Sequence, residues 1–141
     1  MGSEMCIRDR NQSQSVIGIN IKVMAGIVFS KTIHDAQLLS VVSSLNCSEP
    51  LSSNQLTLLE QFATNPSQSP PVESAHDKAL LNMTRAASPS PAMITENIVQ
   101  QCRTAEVSAE GVVEMITWLA VLQMIHRLSS YLQFSGLKTT V

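Results

Sequence analysis

His34 is the side chain best suited to acid–base chemistry in this sequence. An imidazole titrates near pH 6.5, so it can take or give a proton at neutral pH. Ser30 lies one helical turn earlier, a spacing that sets its hydroxyl on the same face of a helix as a candidate nucleophile. Such a pair needs an acid to orient the imidazole, and the adjacent Asp35 points about 100° away on a helix. The other reactive groups have quieter readings. Cys47 and Cys102 read as small buried hydrophobes rather than a displaced redox pair. His126 would line a pocket or interface or sit in a core, and Arg127 needs a carboxylate such as Glu114 or Glu110. His76, beside Asp77 and Lys78, reads as solvated, and Trp118, Met115 and Met124 as packing.

The elements that must position these groups are helices. Residues 108–132 (SAEGVVEMITWLAVLQMIHRLSSYL) predict one long helix of roughly 38 Å, with Ser108 as N-cap and Glu110 suited to the positive end of the dipole. Val112, Met115, Leu119 and Leu122 make one stripe and Val113, Ile116 and Ala120 another, so burial on most sides is expected, in a core or a subunit interface. Glu114 and Gln123 interrupt the run below the ~20 apolar residues of a membrane span, and no membrane association is expected.

Upstream, residues 15–29 are apolar and read as helix, continuing without a turn signal through 30–45 with Ile33, Ala36, Leu39 and Leu45 inward. After a loop at 46–50, Ser52 or Ser53 caps a helix over 54–63 that buries Leu56, Leu59 and Phe62. Three prolines in residues 64–72 make a loop. A helix over 73–87 turns Ala79, Leu80, Met83 and Ala87 inward. Pro91 then opens a helix to about Arg103 that buries Met93 or Ile94, Ile98 and Cys102.

Composition narrows the classes. The chain has 141 residues, a net charge of −2 and 14% charged residues, with no Lys/Arg cluster to neutralise phosphates, so nucleic acid is not an expected partner. Low aromatic content (4%) beside many Leu, Met, Ala and Ile favours helix-on-helix packing. No glycine-rich phosphate loop or metal-ligand cluster stands in the sequence, and neither cofactor nor metal is expected. Residues 1–10 (MGSEMCIRDR) read as the in-frame translation of a transposase-type sequencing adapter, to be set aside from fold reasoning. The natural start is then expected to lie further upstream, with one or more helices missing. The cysteines left, Cys47 and Cys102, read as reduced thiols of a cytoplasmic protein.

Residues 80–132 resemble the C-terminal half of the carboxymuconolactone decarboxylase and alkylhydroperoxidase D-like family, with Arg85, Pro91, Glu110, Glu114, Arg127 and Leu128 at the family's positions and His126 where Asn is usual. The resemblance implies an all-α, alkylhydroperoxidase D-like bundle of about five helices over residues 11–141. It also places the family's Cys-x-x-Cys-x-x-x-His motif upstream. Counted back from His34, the cysteine positions are Ile27 and Ser30, and the relay glutamate would lie near Ser15. Both thiols are absent, so the resemblance implies loss of the thiol peroxidase route. Two functions follow as expectations. One is a divergent enzyme with peroxidase- or decarboxylase-like proton transfer on a small molecule at His34, with Ser30 the second candidate. The other is a non-catalytic scaffold or small-molecule binder. In either case the apolar final helix implies a homo-oligomer.

Overall fold

The computed structural model describes residues 17–45 and 50–135, with nothing said of the side chains of 134 and 135. Among the described residues there are six α-helices and no strand: α1 (Ile19–Thr32), α2 (Ala36–Ser43), α3 (Ser53–Thr64), α4 (Ala75–Ala87), α5 (Glu96–Thr104) and α6 (Ala109–Ser135). The all-α class stands. Residues 1–10, Ser15 and Cys47 lie outside the described residues.

The helix at the centre is α1. It packs against α2, α3, α4 and α6, and eight of its fourteen residues are buried, Val23, Ala25, Ile27, Val28 and Phe29 among them. A helix apolar on all sides needs neighbours on all sides. Gly26 lets α2 come close: a Cβ added there would stand 2.5 Å from Cγ1 of Val42. Leu59, Phe62, Leu80 and Met115 complete the core around α1, each worth roughly 1.5–3 kcal/mol by the removal of its side chain from water.

The expected continuous helix over 15–45 is broken. Ile33 ends α1; the N–H of His34 reaches the Lys31 carbonyl at 3.2 Å and that of Asp35 the Ser30 carbonyl at 2.9 Å. This is a Schellman ending, with His34 in the left-handed position (φ 58°) that glycine usually fills. Asp35 then caps α2 by accepting the N–H of Leu38 at 2.9 Å. The break raises the helix number from about five to six. A second ending of the same kind closes α5, where Glu106 has φ 61° and Val107 donates to the Cys102 carbonyl at 2.9 Å.

The later boundaries follow side-chain caps. Ser52 and Gln55 form a reciprocal capping box on α3, and Ser74 caps α4. Pro91 does not open α5. That helix begins five residues later, because Thr95 accepts the N–H of Ile98, while residues 88–95 fold back so that Met93 donates to the Ala86 carbonyl at 2.7 Å. Ser108 accepts the N–H of Gly111 at 3.0 Å and so starts α6.

The long final helix is buried on one side only. Met115, Leu119 and Leu122 face the core, whereas Val113 (63% exposed), Ile116, Val121, Met124, Ile125, Leu128 and Tyr131 (68%) face outward. By length and composition Ala109–Gln133 passes as a candidate membrane span, a test that a core helix also passes. Glu114, one of its polar interruptions, is turned to the protein, accepting the Ile17 N–H at 2.9 Å and the Lys22 ammonium at 3.1 Å.

Candidate functional site

The residues expected to carry chemistry are not assembled into a catalytic group. Ser30 is fully buried and donates its hydroxyl to the Gly26 carbonyl at 2.8 Å, which occupies the proton a base would have to remove. His34 is exposed on the α1–α2 turn, and its ring has no hydrogen-bond partner among the described residues. The break after Ile33 removes the common helical face that the spacing of Ser30 and His34 implied. Ile27, at the other expected cysteine position, is fully buried and forms part of the wall of a hollow of about 500 Å³ between α1, the end of α2 and the start of α3. That hollow is lined by Val23, Leu45, Leu51, Leu56 and two serines. The serine hydroxyls are spent on the Leu39 and Val41 carbonyls, so no acid or base lines it.

The sequence reading missed one dyad. Nδ1–H of His126 on α6 donates to Oδ2 of Asp35 at 2.7 Å, while Oδ1 holds the N-cap of α2. Burial pushes the Asp35 carboxyl up, but the His126 hydrogen bond and the Leu38 N–H outweigh it and hold the pKa below its ordinary value. Neither residue lines the hollows described here. The dyad braces α2 against α6. The signal was present: an aspartate three residues before Leu38 is an N-cap pattern.

Other marked residues have structural partners. Arg85 donates to the carbonyls of Phe62, Asn65 and Gln68 at 3.0 Å each and lies 3.9 Å over the Phe62 ring. It thereby satisfies acceptors at the negative end of α3. Glu114 pairs with Lys22 rather than Arg127. Cys102 is a buried free thiol 3.8 Å from the Ala79 carbonyl, its pKa pushed up by burial and its nucleophilicity correspondingly low. Among the described residues no three His, Cys, Asp or Glu side chains converge as a metal site.

An apolar concavity runs along α6. One part, about 420 Å³, lies between α4, α5 and α6 and is lined by Met83, Ile98, Cys102, Val107 and Val112, with Arg103 the sole charged residue in its wall. The next, about 310 Å³, lies under the 88–95 segment and is lined by Phe29, Leu119 and Ala120, with Ser90, Gln123 and Arg127 toward the far end of α6. Ile94 and Ile116 line both, so the two hollows adjoin along α6, and together they are called the trough. Its size is that of small-molecule sites, roughly 300–1,000 Å³. The late start of α5 shapes it, since residues 88–95 form a wall instead of a helical turn. Met93 and Ile94, one of them expected inward, are both exposed (67% and 41%), and Ile94 lines the trough.

No family model matches the chain, and no curated protein or solved structure matches it.

Proposed function

We propose that this chain is a non-catalytic, cytoplasmic small-molecule-binding protein of alkylhydroperoxidase D-like descent, with the trough along α6 as its binding site. The observation that carries this reading is the apolar lining of the two adjoining hollows, from Val107 and Val112 past Ile116 to Ala120. Binding an apolar molecule there would cover side chains otherwise in water. The descent rests on the resemblance of residues 80–132 to that family. The loss of catalysis rests on Ile27 and Ser30 at its cysteine positions and on His34 standing exposed in a turn.

The exposed flank of α6 beside the trough supports a homo-oligomer. Val121, Met124, Ile125 and Leu128 are exposed at the i, i+3, i+4, i+7 spacing of one helical strip, which a two-fold axis would set against its own copy.

Titration with anilinonaphthalene sulfonate, whose fluorescence rises in apolar surroundings, tests the binding site. Saturable binding by the full chain, lost in Ile116→Trp, is the expected result. Non-saturable fluorescence, or binding unchanged by that substitution, contradicts it.

A further inference from the structure

The trough has unlike ends. Around the α5 end the lining is aliphatic and sulfur-bearing apart from Arg103. The lining of the second hollow includes three groups with unspent hydrogen-bonding capacity: the Ser90 hydroxyl, the Gln123 amide and the Arg127 guanidinium, the last two in the C-terminal half of α6. Among the described residues none of the three makes a side-chain hydrogen bond or ion pair. Ser88, their neighbour, is different, for its hydroxyl is committed to the Thr84 carbonyl at 2.6 Å. An apolar slot with a cation and two neutral hydrogen-bonding groups at one end is complementary to a molecule with an aliphatic tail and an anionic head.

We infer that the natural ligand is a single-chain aliphatic carboxylate, its head held by Arg127, Gln123 and Ser90 and its tail running past Ile116 toward Met83 and Val112. The inference rests on the binding-site reading above and adds the ligand's charge and direction. The distance along α6 from Ala109 to Arg127 is about 27 Å at 1.5 Å per residue, room for an extended chain. Arg127 suits the head because its planar fork pairs with a carboxylate through two parallel hydrogen bonds. Arg103 is the weaker candidate, since no other polar side chain joins it in the lining. The chain as a whole is acidic (net −2), so attraction of an anion must come from this local arrangement.

Calorimetric titration of the full chain with decanoate, decanol and butyrate, all below micellar concentrations, tests this. Decanoate is expected to bind about tenfold more tightly than decanol, the scale of one hydrogen-bonded charge, and butyrate not measurably. Arg127→Gln is expected to erase the preference for decanoate over decanol while leaving decanol binding in place. Lys78→Gln, which removes an exposed charge away from the trough, is expected to retain it. Equal affinity of the wild type for decanoate and decanol overturns the carboxylate inference and leaves the binding site standing. The same holds for a preference that survives Arg127→Gln or falls equally in Lys78→Gln. Failure of both long-chain probes to bind, including a trough already covered by a second copy, overturns the site as well.

Discussion

Asp35 and His126, separated by 91 positions in the chain, meet at 2.7 Å and join the N-cap of α2 to the C-terminal half of α6. Asp35 uses one carboxylate oxygen for this and the other to cap α2. Asp35→Ala should therefore cost more than an ordinary cap, at or above the upper part of the roughly 0.5–2 kcal/mol range. His126→Gln should recover part of that loss in a double-mutant cycle. Urea unfolding of the four proteins measures it, and strict additivity would show that the 2.7 Å contact carries no coupling.

The same pair sets a pH dependence. Because the folded-state pKa of Asp35 is held below its unfolded value near 3.8, its contribution is fully present above that value and fades as pH falls through the folded-state pKa. Wild type and Asp35→Asn should thus differ in stability at pH 7 and converge at acidic pH. A difference that grows toward low pH would contradict this assignment.

His34 and Glu106 hold left-handed conformations that disfavour a residue with a Cβ by about 1–2 kcal/mol, partly offset by the greater unfolded-state freedom of glycine. His34→Gly and Glu106→Gly should each raise stability by up to about 1 kcal/mol, a few degrees in Tm. A catalytic His34 would show itself differently, through turnover lost in His34→Ala.

Gly26 sits where α1 and α2 touch. Gly26→Ala should destabilise by about 1–3 kcal/mol through overpacking against Val42, and Val42→Ala in the same chain should relieve part of it. If Gly26→Ala is neutral in thermal unfolding, the close approach of the two helices is not a constraint.

Peroxide consumption with a dithiol donor should not exceed the blank, and iodoacetamide should modify Cys102 only after denaturation, given its burial. Turnover abolished by alkylation, or lost in His34→Ala, would restore the enzymatic reading. In light scattering after gel filtration the chain should run as an oligomer that Met124→Lys with Leu128→Glu dissociates. A monomeric wild type would rule out the strip as a self-contact.

The helical class, the cap Ser108, Ser52 as one of two candidate caps, and the inner stripe Met115, Leu119 and Leu122 were legible because they follow from period and local hydrogen bonding. The ranking of the two apolar helices was not. Both α1 and α6 lack a polar face, and only packing shows that α1 is surrounded while α6 keeps one side in solvent. The α1–α2 break was hidden because a histidine, not glycine, takes the left-handed position, and Asp35 was weighed as a helix-interior residue rather than a cap. Proline at 91 suggested a helix start that the Thr95 side chain sets instead. That displacement shapes the trough wall, and with it the proposed site, which no motif in the sequence marks.

The trough along α6, and not the hollow beside Ile27, is the proposed seat of an apolar molecule. Methyl spectra of the isoleucine-labelled full chain, recorded while decanol is added, compare the two directly. Saturable shifts are expected at Ile94, Ile98 and Ile116, with Ile21 and Ile27 unmoved. Shifts centred on Ile27, or none at Ile116, would contradict it.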